Sequence, residues 1–193
     1  MTLSLPDCKI SYYEDYLTPE KSNNLFNHLK NIPLWNQRSF RMFGRLCKQN
    51  RKTCSFSLDN LNYRYNGMDN IGDNIKDHPC LYSLLKELNA HFKMEFNYIL
   101  ANYYKDGSSN IGMHSDDERG LDGPIISISL GADRFFDIQH KKDKSLRKRL
   151  TLKNGSMLVM DGETQKNYKH GIPVQKKILL PRINLTFRCV VNS

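Results

Sequence analysis

Apolar residues follow two rhythms along this chain, and the change between them falls just after residue 92. Before it, two stretches carry the period of a helix. Thr18-Pro19-Glu20 reads as a helix start, with Thr18 as N-cap and Pro19 at the first helical position, and this helix runs through Leu25, Phe26 and Leu29. A second helix is predicted over about Pro79 to Phe92, where Leu81, Leu84, Leu85, Leu88 and Phe92 fall on one stripe. After Phe92 the pattern shortens to β-like runs: Asn97–Tyr104, Ile111–His114, Ile125–Leu130, Arg134–His140, Leu150–Leu152, Met157–Met160, His170–Pro173 and Ile183–Val191. Lys105-Asp106-Gly107, Asp122-Gly123-Pro124, Asn154-Gly155 and Asp161-Gly162 separate them as turns. Many short strands at this spacing predict a barrel or a double-sheet jelly roll. The expected organisation is a single domain over residues 1–193, with 1–95 as a helical support and recognition region and 96–193 as the strand-rich core.

The last run carries more than fold information. Arg182, Asn184, Thr186 and Arg188 alternate with Ile183, Leu185 and Phe187, so a strand here has one apolar face and one face bearing two guanidiniums, an amide and a hydroxyl. Two fixed guanidiniums suit a small dicarboxylate, because each can grip a carboxylate bidentately.

Composition narrows the class. The chain has 193 residues, 39% hydrophobic and 25% charged, which fits a globular domain and excludes wholesale disorder. No apolar run reaches the roughly 18 residues of a membrane span, and the first residues lack the pattern of a secretion signal, so an intracellular protein with no membrane partner is expected. The five cysteines are odd in number and form no CxxC pair, which predicts reduced thiols rather than a disulfide framework or a zinc site. The net charge of +9 is concentrated: residues 38–52 carry +6 and residues 141–149 carry +5, leaving the remainder slightly acidic. Such segments favour a polyanion, although charge alone does not identify one.

The candidate chemistry begins at His114-Ser115-Asp116, an imidazole and a carboxylate that point the same way on an extended backbone, with His170 further along. Two histidines and one carboxylate are the facial ligand set of non-haem Fe(II) oxygenases. An HxD by itself is a weak signal. It becomes specific when Arg182 follows His170 and Arg188 follows Arg182.

Taken together, Asn102-Tyr103-Tyr104-Lys105-Asp106-Gly107, Ile111-Gly112-Met113-His114-Ser115-Asp116-Asp117-Glu118, His170, and Pro181-Arg182-Ile183-Asn184-Leu185-Thr186-Phe187-Arg188 resemble the AlkB family of Fe(II)- and 2-oxoglutarate-dependent dioxygenases. The resemblance is clear over about residues 97–190 and weaker back to about residue 34. It implies an α+β fold with a double-stranded β-helix (jelly-roll) core, N-terminal helices and a nucleotide-recognition hairpin. It implies that His114, Asp116 and His170 hold Fe(II). It also implies that Arg182, with Tyr104, binds the far carboxylate of 2-oxoglutarate, and that Asn102, Asn184, Thr186 and Arg188 complete that pocket. The implied reaction consumes O2 and 2-oxoglutarate, releases succinate and CO2, and removes an N-methyl group from a base as formaldehyde.

Within the family, the N-terminal half most resembles the branch that repairs duplex DNA. Arg41-Met42-Phe43-Gly44-Arg45 matches a hairpin whose aromatic wedge enters the base stack, with Phe43 as the wedge and Met42 beside it. Such a wedge offsets part of the few kcal/mol needed to extrude a base. Leu61-Asn62-Tyr63-Arg64-Tyr65-Asn66-Gly67 resembles the segment that receives the base. Tyr65, usually Phe in the family, would stack on it and Tyr63 would donate a hydrogen bond. Asp117 and Glu118 would meet the edge of a cationic lesion such as 1-methyladenine or 3-methylcytosine. The basic stretches, including Arg45, Arg51 and Lys176-Lys177, would grip phosphates. The expected partner is methylated DNA, in duplex form, bound by a monomer that is nuclear in a eukaryote. The alternatives are the same chemistry on RNA or single-stranded DNA, and a nucleic-acid-binding protein with a vestigial metal site.

Overall fold

The computed structural model describes residues 1–42, 45–58, 61–65, 68–117 and 120–191, with side chains outside that description at 40–42, 45, 62–65 and 68–71. In chain order the elements are β1 (Ile10–Tyr13), α1 (Pro19–Lys30), β2 (Ser39–Met42), β3 (Arg45–Lys48), β4 (Lys52–Ser57), β5 (Asn62–Tyr65), β6 (Met68–Ile71), β7 (Asp73–Asn74), a 3-10 turn (Ile75–Asp77) and α2 (Pro79–Phe92). Then follow β8 (Tyr98–Tyr104), β9 (Ile111–His114), β10 (Leu121–Gly131), β11 (Arg134–His140), β12 (Arg147–Leu152), β13 (Met157–Met160), α3 (Gly162–Asn167), β14 (Tyr168–Ile172) and β15 (Arg182–Val190). The larger sheet has the order β1-β13-β10-β15-β8-β4-β7 and the smaller one β12-β11-β14-β9, while β2–β3 and β5–β6 are separate pairs. This is the jelly-roll core that the sequence pattern predicts.

The two long helices form where capping and periodicity place them. Thr18 Oγ1 accepts from the Lys21 backbone N–H at 3.2 Å, and Pro19 gives up an N–H that has no helical partner anyway. In α2, Leu81, Leu84, Leu85 and Leu88 are buried. Together with Leu25 and Leu29 of α1 they pack on Phe56, Ile99, Ile126, Ile128, Ile183, Leu185 and Phe187, the outer face of the larger sheet. Each such side chain contributes about 1.5–3 kcal/mol by leaving water. A second cluster, including Tyr104, Ile125, Leu158 and Met160 from the larger sheet and Phe136, Ile138, Leu150, Leu152 and Tyr168 from the smaller one, fills the space between the sheets. All nine residues of β15 are buried, so its polar face is turned into the roll, not to solvent.

The first half contributes more sheet than its pattern predicts. β1 pairs with β13, and β4 pairs with β8 over its whole length. The β4 sequence Lys-Thr-Cys-Ser-Phe-Ser hides its alternation. Thr53 and Ser55 share a face with their register partners Asn102 and Leu100 and are buried there, although small and polar. Asp161-Gly162 is not a free turn either: it opens α3, a helix too short to show a period. Among the described residues no helix is long and apolar enough to cross a membrane.

Candidate active site

His114 ends β9, and its register partner on β14 is His170. Their ring centroids lie 4.5 Å apart. The next residue on β14, Gly171, permits this closeness: a Cβ there would sit 2.9 Å from the Ile111 carbonyl oxygen on β9. Asp116 does not continue the strand. Instead its loop is fastened to the start of the neighbouring β14 and to α3 just before it: Ser115 Oγ donates to the Tyr168 carbonyl at 2.9 Å and the Asp116 N–H donates to Gln165 Oε1 at 2.9 Å. Gln165 sits buried on α3. The result brings one ligand atom each from His114, Asp116 and His170 within 4.8 Å of one another.

These residues fit a divalent metal. His114 Nδ1 lies 2.9 Å from the Gly112 carbonyl, an acceptor only, so Nδ1 carries the proton and Nε2 offers its lone pair toward the cluster. Asp116 Oδ1 is buried with no hydrogen-bond partner, while Oδ2 lies 3.1 Å from Arg188 Nη2. Burial alone would raise the Asp116 carboxyl, but Arg188, then His170 and His114, outweigh it and hold the group ionised below the usual carboxylate range. Burial, reinforced by His114, pushes the His170 imidazole down to about 3, so it is the neutral, ligating form at pH 7.

The other end of the same cavity is built for an anion. Arg182 is 1% exposed; its Nη2 donates to Ser129 Oγ at 2.8 Å, and its Nε and Nη1 have no partner. Its guanidinium carbon lies 5.2 Å from the Tyr104 ring centroid. Burial brings its pKa down to about 10, still charged at pH 7. Asn184 donates to Ser127 Oγ at 2.8 Å and to the Ile128 carbonyl at 3.2 Å, and accepts from Thr186 Oγ1 at 3.2 Å. Asn102, Tyr104, Arg182, Asn184, Thr186 and Arg188 all line one cavity with the three candidate ligands, partly open to solvent. Leu100, Ile111, Phe136, Leu152, Met160 and Ile172 supply its apolar wall. Two unpartnered buried N–H groups at one end and an unpartnered carboxylate oxygen at the other fit a metal-chelating dicarboxylate.

The expected substrate residues divide. Phe43, Gly44 and Glu118 lie outside the described residues, as do the side chains of Met42, Arg45, Tyr63, Arg64 and Tyr65; the backbone pairs Met42 with Arg45 and Tyr65 with Met68. Asp117 is exposed and pairs with Lys141 Nζ at 3.1 Å, which brings the second basic segment beside the metal motif. Lys176 and Lys177 are exposed on the β14–β15 connection. Arg51 differs from the expectation of a phosphate grip: it is 7% exposed, and its Nε donates to Asn102 Oδ1 at 2.6 Å. The reason is register. Arg51 immediately precedes β4 and lies two residues before Thr53, the partner of Asn102, so it follows that face into the roll. The sequence reading missed Gln165, Ser115, Ser127 and Ser129. Only the two serines of β10 left a signal, in the alternation Ile126-Ser127-Ile128-Ser129-Leu130.

The chain is similar to known proteins over most of its length. The chain is 35% identical to the DNA oxidative demethylase ALKBH2 of Arabidopsis thaliana over 93% of its own length and 66% of that protein. It is 34% identical to the protein of the same name from Mus musculus, over 79% of this chain and 67% of the relative. It spans about three-fifths to two-thirds of the length of these and similar relatives. A crystal structure of a 2OG-Fe(II) oxygenase family oxidoreductase from Burkholderia pseudomallei shares the fold, with a TM-score of 0.64 at 13% identity, covering 95% of this chain and 87% of that one. Residues 9–188 match the 2OG-Fe(II) oxygenase superfamily as a whole. The chain belongs to that superfamily and, within it, to the AlkB family.

Proposed function

We propose that this protein is an Fe(II)- and 2-oxoglutarate-dependent dioxygenase that removes N-methyl groups from bases in DNA, with duplex DNA as its preferred form. The observation that carries the reading is the coincidence, in one cavity, of the His114–Asp116–His170 cluster and the buried Arg182 guanidinium, whose Nε and Nη1 have no partner. His114, Asp116 and His170 hold the metal. Arg182 takes the far carboxylate of 2-oxoglutarate. When bound, the metal and 2-oxoglutarate supply the oxidative chemistry, and the overall balance turns 2-oxoglutarate, O2 and an N-methyl group into succinate, CO2, formaldehyde and the demethylated base.

The protein's own residues supply position and charge. Arg188 keeps Asp116 ionised, and Gly112 fixes the tautomer of His114. The apolar wall of Leu100, Ile111, Phe136, Leu152, Met160 and Ile172 keeps water from the reacting carbon. The basic segment at 141–149, brought to Asp117 by Lys141, grips the phosphates outside the pocket. Phe43 fills the stack that the extruded base leaves. A monomer acting where DNA is kept, the nucleus in a eukaryote, completes the reading.

The test is formaldehyde release from matched single- and double-stranded oligonucleotides carrying 1-methyladenine or 3-methylcytosine. Release should require both Fe(II) and 2-oxoglutarate and vanish in His114→Ala. Phe43→Ala should abolish turnover on the duplex and spare it on the single strand. No release from any methylated DNA or RNA refutes the enzymatic reading, and equal loss on both strand forms refutes the duplex preference.

A further inference from the structure

Behind the anion end of the cavity lies a second buried arginine that the pocket itself does not include. Arg134, the first residue of β11, is 1% exposed. Its Nε donates to Gln175 Oε1 at 3.1 Å, its Nη1 to the Asp106 carbonyl at 3.1 Å, and its Nη2 to the Ser109 and Pro173 carbonyls at 2.8 Å each. Every acceptor is neutral. The Asp106 carboxylate acts on it through space, but accepts its hydrogen bonds from Ser108 rather than from the guanidinium. Arg134 and Arg182 lie against the same tyrosine, with guanidinium carbons 5.6 Å and 5.2 Å from the Tyr104 ring centroid. Two buried cations thus share one aromatic ring with no carboxylate partner among the described residues. Such an arrangement is costly in a folded protein unless a bound anion offsets it.

We infer that Arg134 is a positioning and specificity residue. Its charge, paired with no carboxylate among the described residues and acting across Tyr104, makes the Arg182 end of the cavity demand a 2-oxo acid that ends in a second carboxylate. The inference rests on the proposed 2-oxoglutarate pocket and deepens it. Arg182 makes the direct grip. Arg134 raises the positive potential in which that grip is made, and it ties the 105–109 and 173–175 connections around the Tyr104 end. A staple alone would need only hydrogen-bond donors; the charge is what the neighbouring acceptors leave unused.

The decisive variant is Gln175→Glu. The carboxylate keeps the shape of the amide and can still accept from Arg134 Nε and from the Phe135 N–H, 2.8 Å away. It neutralises Arg134 in place. Equilibrium binding to Mn(II)-loaded protein is measured by calorimetry for 2-oxoglutarate and for 2-oxopentanoate, the same chain without the second carboxylate. Gln175→Glu should weaken 2-oxoglutarate about tenfold, the scale of one charge acting across roughly 10 Å at an effective dielectric of about 20, and leave 2-oxopentanoate unchanged. Arg134→Lys, which keeps the charge but loses the fork, should hold the wild-type preference between the two acids even with a lower melting temperature. An unchanged preference in Gln175→Glu, or equal weakening of both acids, overturns the role and leaves Arg134 as a staple. Wild-type protein that binds neither acid overturns the pocket assignment itself, and the inference with it.

Discussion

Gln165 offers the sharpest test of how the metal cluster is held. Its Oε1 accepts the Asp116 N–H at 2.9 Å, and its Nε2 reaches Met160 Sδ at 3.6 Å, so it joins α3 to the loop after β9. Gln165→Leu keeps the volume and removes the acceptor. The Asp116 N–H, in a buried residue, then has no partner, which costs about 1–3 kcal/mol. The loop recovers part of that cost by moving, and movement turns Asp116 away from His114 and His170. Loss of a group that orients a ligand in this way lowers metal affinity by about 10–100-fold. The control is Thr164→Val, on the same helix and equally buried, whose hydroxyl bonds the Lys9 backbone and Cys8 and makes no bond to Asp116. Co(II) titration followed by its visible absorption measures affinity and geometry together, and thermal unfolding measures stability. Gln165→Leu should lose affinity and change the spectrum, whereas Thr164→Val should lose only stability. Equal Co(II) affinity in wild type and Gln165→Leu would refute the argument that α3 positions Asp116.

Further outcomes follow from the same geometry. Arg182→Met should weaken 2-oxoglutarate by at least about a hundredfold, since two charge-assisted bonds of about 1.5–3 kcal/mol each are lost, and calorimetry on Mn(II)-loaded protein checks it. The pH dependence has a definite sign. His170 sits near 3 in the folded chain against an ordinary value of about 6.5, so the unfolded chain takes up a proton that the folded chain refuses. Stability in chelator-treated protein should therefore be complete above about pH 6.5 and fall toward pH 3, by about 2 kcal/mol at pH 5; the depressed Asp116 adds to the loss only at lower pH. A urea midpoint that does not move between pH 7.5 and 5 would show that His170 is not held neutral. Removing the exposed Arg147 or Lys148 should weaken duplex binding irrespective of sequence and reduce the salt slope by about one each. Arg51→Gln should leave that slope unchanged, because Arg51 faces Asn102 rather than solvent.

How much was legible follows from where each element buries its residues. α1 and α2 lie on the outside of one sheet, so their apolar stripes face protein and their other faces meet water, and the contrast shows in the chain. The strands after residue 97 alternate for the same reason, and α2, β9, β11 and β13 lie where the pattern puts them. β1 and β4 escaped. β1, Ile-Ser-Tyr-Tyr, alternates over only four residues, with no glycine turn to bound it, and β4 turns small polar residues toward a buried polar interior, where alternation carries little hydrophobic contrast.

The site divides along the same line. The sequence by itself determined the residue types of the candidate site and their order, His114, Asp116, His170, Arg182 and Arg188, because the proposed metal and dicarboxylate restrict residue chemistry narrowly. It also determined the polar face of β15, because a strand has a period of two. The tertiary structure alone decided what holds those groups. Gln165 reaches Asp116 from 49 residues away, Gly171 lets two strands close, Arg51 turns inward to Asn102, and Arg134 stands behind Tyr104. Each of these depends on register between segments distant in the chain. Hydrogen bonds and buried charges act through space, whereas periodicity records only which face of an element is dry.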